Sequence, residues 1–444
     1  MSKHKVVRTP IDTVNIFGAG GIKQGTISEV YGVEKSGKST FSYQTGGIFL
    51  KDNPTGVVHI IDVENSVDNI RLREVFKYDM SRVKIHYCRT LEQAFNVLNR
   101  LSNRLENQAI GKMKDGKKEH KLLTLEKLRA LEDTAFYDYC ETFKVPILDG
   151  STRDSLINNL LLEGVVRGTP ESDYMHPVFA IWDTIAVSKP EDEYNAAMAE
   201  ERAVNAGGMG LRARIIELYA CALLASIGGK PMTTFVLNQI RLTGIGSYLG
   251  ASETSSGGNA LKHNCHYRFK FTQQTKKDVR EANYDEDLGG KTGTVSVVTL
   301  EKAKFCPITQ DVEIYINDQL GGVIIPSEEL AKVALKVGLI TSKNMGQKGK
   351  RFLLEDDETL YTWDKNNKTE EDNYIVNNSR VRKLLMEKVT KHYRKSYFTM
   401  NLLYEDLGGA TSEFGRPSEE EMKTQKTIDD QEILNDLLND NPFI

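Results

Sequence analysis

The sequence predicts an α/β fold with a mainly parallel central sheet and flanking helices, and three observations carry that reading. Apolar runs with polar ends, "TGVVHIIDVEN", "HPVFAIWDTIAV" and "MTTFVLNQI", read as strands buried on both faces. Helical patterns such as "TLEQAFNVLNRLSNRL" and "ARIIELYACALLASI" fall between them. Strands that alternate with helices build parallel sheets. The third observation is "GVEKSGKS", Gly32 to Ser39, which fits the pattern G-x-x-x-x-G-K-[ST] with a strand pattern before it and a helix pattern after it.

Taken in order, "GTISEVYG" reads as a short strand ending at Gly32, followed by the glycine-rich turn and by "KSTFSYQTGGIF" as a helix. After the strand "TGVVHIIDVEN" come helices in "SVDNIRLREVF" and "TLEQAFNVLNRLSNRL". Between about residues 101 and 174 a block interrupts the alternation. It opens lysine-rich, "GKMKDGKKEHK", and continues as one amphipathic helix with Leu122, Leu125, Leu128, Leu131, Ala135 and Tyr139 at three- and four-residue spacing. It reads as an insertion on the surface of the core. Further on, "CHYRFKFTQQ", "GTVSVVTLEK" and "DVEIYIND" alternate like edge or antiparallel strands. Cys265 stands between His263 and His266 at a spacing too tight for zinc, so these residues are expected on the two faces of a strand. Beyond Gly321, "PSEELAKVALKVGLI" is a helical pattern opening less regular sequence. The predicted organisation is a short N-terminal segment (1–25), a core (26–320), a small C-terminal domain (321–417) and an acidic tail (418–444). The tail's charge and few aromatics predict disorder or a short mobile helix.

With 444 residues, 39% apolar and 27% charged, the chain suits a large core with smaller additions. A net charge of -4 makes any nucleic-acid binding a property of local surfaces. Five cysteines without a C-x-x-C pair predict a reducing, cytoplasmic setting. "MSKHKVVRTP" lacks the apolar run of a secretory signal, and the longest apolar stretches are too short to span a bilayer, so no membrane is expected.

The loop implies nucleotide chemistry. Its glycines let successive amides face phosphate oxygens, and the helix beginning at Lys38 adds its positive end. In this pattern Lys38 reaches the β- and γ-phosphates of ATP and the Ser39 hydroxyl ligates Mg²⁺. Hydrolysis also needs a carboxylate near the metal and a group that orients water. Strand ends are where a parallel sheet places such groups, and they offer Asp183 in "FAIWDT" and Asp62 and Glu64 in "IIDVEN".

"GAGGIKQGTISEVYGVEKSGKST", "HIIDVENSVD", "FAIWDTIA", "GGMGLRARI" and "TTFVLNQIR…SSGGNALK" occur in this order, and together they resemble the RecA strand-exchange proteins and their bacteriophage relatives. The likeness covers most segments from about Arg8 to Leu320 outside the insertion. The phosphate loop is shared by many ATPases; "LNQIR" followed by "TSSGGNALK" is more specific, because it brackets a DNA-binding loop in that family. The resemblance implies a RecA-type P-loop ATPase core and a DNA-dependent ATPase. Such an enzyme binds single-stranded and double-stranded DNA, self-associates as a filament or ring, and catalyses homologous pairing and strand exchange in recombination and repair. It further implies a single-stranded DNA-binding protein as a partner and the cytoplasm of a bacterial or phage-infected cell.

Residue by residue, the resemblance assigns the nucleotide to Gly32, Val33, Glu34, Lys35, Ser36, Gly37, Lys38, Ser39 and Thr40, with Asp68, Arg71, Asp183 and Thr184 around it. Ser39 and Asp183 serve the metal, Glu64 is the general base, and Gln239 senses the γ-phosphate. Arg71 stands where the family has an adenine-stacking tyrosine; its guanidinium plane can stack instead. Residues Arg241 to Glu253 form the DNA loop, with Tyr248 and Leu249 as wedges beside Gly250, and Arg212 and Arg214 belong to a second DNA-contacting segment. Lys302 and Lys304 correspond to a pair that reaches the ATP of a neighbouring subunit. The family's docking helix and strand ahead of the core have no counterpart in the dozen or so residues found here, and the insertion has none in the family. Two alternatives remain: a regulatory ATP- and DNA-binding paralogue without strand exchange, and a hexameric helicase-type ATPase on the same core.

Overall fold

The computed structural model describes residues 6–18, 20–76, 80–198, 211–243, 252–255, 259–274, 284–285, 290–291, 293–305, 311–317, 323–325, 329–344, 350–353, 359–363 and 384–390. A ten-stranded sheet organises them. Its strands are β1 (Ile27–Gly32), β2 (Val57–Asp62), β3 (Val83–Tyr87), β4 (Val178–Asp183), β5 (Met232–Thr243), β6 (Ser252–Ser255), β7 (Tyr267–Gln273), β8 (Gly293–Ala303), β9 (Val312–Asn317) and β10 (Val323–Ile325). The order is β10-β9-β8-β7-β1-β5-β4-β2-β3, with β6 returning antiparallel on β5. From β7 to β3 all pairings are parallel, and β8, β9 and β10 extend the sheet antiparallel. The expected alternating strands are therefore the antiparallel flank, except that β7 also pairs in parallel with β1.

Side-chain alternation explains the burial on both faces. In β4, Phe179 and Ile181 join one core with Phe41, Phe49, Phe235, Phe269 and Phe271, while Val178, Ala180 and Trp182 join the other. Helix α1 (Lys38–Asp52) supplies Phe41 and Phe49 to the first core, and Phe41 stacks on Phe235 at 5.8 Å between centroids. On the opposite face, Phe95 of α3 (Leu91–Ile110) meets Trp182 edge-on at 4.8 Å. Helix α2 (Asn69–Phe76) starts later than its sequence pattern, because the Asp68 carboxylate accepts from the Ile70 amide at 2.9 Å and caps it.

The segment between about 101 and 174 departs from its sequence reading in three ways. Helix α3 runs through residue 101 without a break to Ile110, where Gly111 ends it. The single amphipathic helix is two, α4 (Leu125–Ala130) and α5 (Asp133–Thr142). Leu131 between them is extended, and Arg153 donates to the carbonyls of Leu128 and Leu131, satisfying acceptors that the broken helix leaves open. The block is not confined to the surface: α6 (Arg153–Leu162) buries Leu156, Ile157, Leu160 and Leu161 in the Trp182 core. Its end is tied to the sheet edge by Glu163, which pairs with Lys84 and, at 2.7 Å, with Arg104. The strand expected around Cys265 is also corrected. His263 lies in a short helix, α8 (Asn259–Asn264), and buried Cys265 follows it; local hydrogen bonding of the "NALKHN" turn overrides the alternation.

Residues 6–25 contribute Val7, Ile11, Val14 and Ile22 to the Phe41 core. Past β10 the described residues include a helix at Glu329–Lys336 and a three-stranded antiparallel sheet, Thr341–Asn344, Lys350–Leu353 and Thr359–Trp363. The acidic tail lies outside the described residues. Among the described residues no helix is long and apolar enough to cross a membrane.

Candidate nucleotide-binding site

Four parallel strands end at one place. In register, Asp62 of β2 lies beside Asp183 of β4, and Gln239 of β5 lies beside Gly32 of β1. The Gly32–Ser39 turn leaves β1 and enters α1. Gly37 has φ 92°, and a Cβ there would come within 2.2 Å of Ile316 Cδ1 on β9, so both conformation and space demand glycine. The Val33 carbonyl closes the turn, accepting from the Ser36 hydroxyl at 2.7 Å and from Lys38 Nζ at 2.5 Å. Glu34 and Lys35 are exposed at the tip. Burial lowers the Lys38 pKa, opposed by Asp183, Glu64 and Glu34.

Asp183 is almost fully buried. Its carboxylate accepts from the Tyr43 hydroxyl at 2.8 Å and from the Ser39 hydroxyl. Burial raises its pKa and Asp62 pushes the same way, against the Tyr43 and Ser39 hydrogen bonds. Asp62 itself accepts from the amides of Ser66 and Val67, at 3.3 and 3.1 Å, and so shapes the turn that presents Glu64. Glu64 lies at the solvent-accessible rim. Partial enclosure, then Asp183 and Asp62, raise its pKa against the pull of Lys38. The Gln239 side-chain amide donates to Glu64 at 3.4 Å. After Asp183 the peptide to Thr184 is cis, and the Thr184 hydroxyl donates to the Leu237 carbonyl at 2.7 Å, tying β4 to β5. Arg71 reaches the Thr40 hydroxyl at 3.4 Å, which puts its guanidinium beside the start of α1.

The structure thus brings together Lys38, Ser39, Glu64, Asp183 and Gln239, with Thr40 and Arg71 beside them. Other expected residues lie elsewhere. Arg212, near the start of α7 (Leu211–Ile227), donates to the carbonyls of Ile185 and Ala186, the latter at 2.8 Å, so it holds the turn after β4; Arg214 is exposed. Lys302 donates to the carbonyls of Lys262 and His263 at 2.7 and 2.9 Å, at the end of α8. Lys302 pairs in register with Arg268, which pairs with Glu29, and the Lys304 amide donates to the His266 carbonyl. Both lysines therefore lie at the opposite end of the sheet from the phosphate loop. Tyr248, Leu249 and Gly250 lie outside the described residues, as does the side chain of Arg241.

Two contributions escaped the sequence reading. Tyr43 grips Asp183, and its position four residues after Ser39, on the same helix face, was an available signal. The other is a buried polar chain under the site. Arg268 pairs with Glu29 at 2.6 Å, Asn238 donates to Glu29 at 2.9 Å, and the Gln239 amide donates to Asn238 at 2.9 Å. Arg268 continues to Glu301 at 3.1 Å and to the Ser255 hydroxyl on β6 at 3.4 Å.

Comparison with known proteins points to one family. A family model described as the RecA N-terminal domain matches residues 5–110. Protein RecA of Rhizobium etli is 24% identical over 342 residues, covering 75% of this chain and 70% of that protein. Protein RecA of Agrobacterium fabrum is 23% identical over 355 residues, 77% of this chain and 73% of its own length. In its matching domain, in these relatives and in a mostly parallel sheet carrying the loop and carboxylates at its strand ends, the chain is similar to the RecA proteins.

Proposed function

We propose that the chain is a DNA-dependent ATPase of homologous recombination that binds single-stranded DNA and pairs it with a duplex. The observation that carries this reading is the hydrogen bond from Gln239 to Glu64. Gln239 belongs to β5, whose end leads into the "GIGSYLGASE" segment, so one strand touches the hydrolytic carboxylate and enters the expected DNA loop.

The residues fit ATP with Mg²⁺. Asp62, Glu64 and Asp183 crowd one spot against Lys38, and a cation there would be held by Ser39 and Asp183 and would relieve that charge. Among the described residues no group of three or more His, Cys, Asp or Glu could hold a metal alone. Mg²⁺ fits such a site, since it takes phosphate oxygens and waters with one or two protein ligands. When bound, the metal neutralises charge developing on the transferred phosphoryl group. Lys38 and the loop amides hold the β- and γ-phosphates, Arg71 packs on the nucleotide side, and Glu64 takes the proton of the attacking water. Gln239 reports the γ-phosphate by exchanging its contact with Glu64 for one with the nucleotide, which shifts the start of the DNA loop.

The test is ATP turnover with and without single-stranded DNA, together with a strand-exchange assay on homologous DNA. Stimulated turnover and exchanged product support the reading. Stimulated turnover without exchange leaves a regulatory paralogue, and unwinding of a duplex leaves a helicase.

A further inference from the structure

The lysine-rich opening of the central block has a geometry that the nucleotide site does not use. Residues Lys112–Asp115 and Lys118–Lys121 form an antiparallel hairpin, closed by Gly116 and Lys117. Gly116 has φ 63° at the first central position, which suits a two-residue turn matched to strand twist. The register places Lys112 opposite Lys121, Met113 opposite His120, and Lys114 opposite Glu119.

The two faces differ. Met113 and His120 are half-buried on the inner face, with His120 edge-on to Phe143 at 5.8 Å, and Asp115 is stapled to Lys144 at 3.0 Å. That face is anchored to the end of α5. The outer face presents Lys112, Lys114 and Lys121, all exposed, with Lys117 at the tip. Glu119 shares this face and pairs with Lys112 at 2.7 Å. Among the described residues Lys114, Lys117 and Lys121 have no ion pair. Alternate residues of a strand are about 6.8 Å apart, and directly opposed like charges such as Lys112 and Lys121 destabilise a hairpin. With the tip included, the outer face thus carries four lysines against the single carboxylate of Glu119, a net positive surface that a row of anions would stabilise.

Its position is also informative. Cys88, just before α3, donates its amide to the Asp62 carbonyl at the nucleotide end of the sheet. Twenty residues of helix then separate that end from Gly111, about 30 Å of rise. The hairpin therefore stands far from the strand ends that lead to the DNA loop.

We propose that the outer face of this hairpin binds the phosphodiester backbone of DNA, as a contact separate from the loops at the nucleotide end. The proposal rests on the reading of the chain as a DNA-binding protein. It needs no base readout: three or four mobile ammonium groups on a fixed ribbon contact phosphates irrespective of sequence.

The test is fluorescence anisotropy of labelled duplex and single-stranded DNA across a salt series, with and without ATP. The parent is compared with the triple variant Lys114→Gln, Lys117→Gln, Lys121→Gln. Each phosphate contact contributes a slope of about -0.9 in log K against log salt for duplex. The variant is expected to bind duplex with a slope shallower by about 2–3, with or without ATP, while an arginine version of the same triple keeps the parental slope. All three side chains are exposed, so an unchanged melting temperature is expected; should the triple misfold, each single variant is expected to lose about one unit of slope. Equal slopes for parent and triple variant overturn the hairpin proposal and leave the DNA-binding reading standing; an acidic protein surface then becomes the better occupant. A parent that binds no DNA in any nucleotide state overturns both.

Discussion

Gln239 and Glu64 meet through one 3.4 Å hydrogen bond at the solvent-accessible rim, and this geometry sets two expectations. Glu64→Gln leaves the phosphate loop intact but cannot accept the proton of water. ATP binding is expected near the parental level and the single-turnover hydrolysis rate about 10²–10⁴-fold lower, the range of general-base contributions. The second concerns pH. The Glu64 pKa is raised in the folded state, so the folded protein holds the proton more tightly than the unfolded chain. This group's contribution to stability is complete below the ordinary glutamate pKa and is lost as pH rises through the raised value. Glu64→Gln is therefore expected to raise the melting temperature at neutral pH relative to the parent, with the gap closing in acid; a pH series of thermal melts checks it. Lys38, Ser39, Glu64 and Asp183 were legible in the sequence because each sits in a local motif at a strand end. Asn238 and Glu29 were not, because their contacts depend on which strands lie side by side, whereas Tyr43 carried a local signal in its helical spacing from Ser39. Gly32 beside Gln239 is a pairing across more than two hundred positions, and no local pattern encodes it.

At the scale of elements, the polar chain from β8 through β7 and β1 to β5 couples four strands through buried charges. Glu29 is fully buried and Arg268 nearly so, and Arg268 also covers the Tyr31 ring at 4.4 Å. Arg268→Ala leaves Glu29 charged and buried without its partner, a change that costs about 3–5 kcal/mol. Denaturant unfolding is expected to show a loss of that size. Combining Arg268→Met with Glu29→Gln should recover part of it, since the glutamine oxygen still accepts from Asn238. A double variant weaker than Arg268→Ala would mean that the pair is not the source of the loss. The expected strands and long helices were found because burial on both faces leaves continuous apolar runs. The split between α4 and α5 was missed because the apolar spacing passes straight over it. What holds the break is Arg153, more than twenty residues later, which bonds the carbonyls exposed at Leu128 and Leu131.

Across the whole molecule, the sheet has a chemical polarity. The phosphate loop and the carboxylates occupy the carboxyl ends of the parallel strands, while Lys302 and Lys304 lie at the other end of β1. They are two strands away and roughly 10–15 Å back along it. A lysine side chain does not span that distance, so if this pair serves ATP, as the family likeness implies, it serves the ATP of a neighbour. The doubly substituted Lys302→Ala, Lys304→Ala protein is then expected to bind ATP normally and lose most DNA-stimulated turnover. Mixing it with the inactive Lys38→Ala protein should restore part of the activity; a mixture that co-assembles yet stays inactive would show that the lysines do not act between subunits. The parallel core was legible from the alternation of strand and helix patterns, but the order of its strands was not, since crossovers place β1 between β5 and β7. The hairpin carries a different consequence. It leaves the chain at Gly111 and rejoins it at Leu122, whose amide donates to the Gly111 carbonyl at 2.9 Å. Entry and exit share one backbone hydrogen bond, so the ribbon behaves as an exchangeable cassette. Shortening or lengthening it by one residue pair per strand turns the side-chain pattern by a whole period and keeps each face as it was. Its reach could thus drift among related chains, or be reset by an engineer, with the phosphate-loop end of the molecule left untouched.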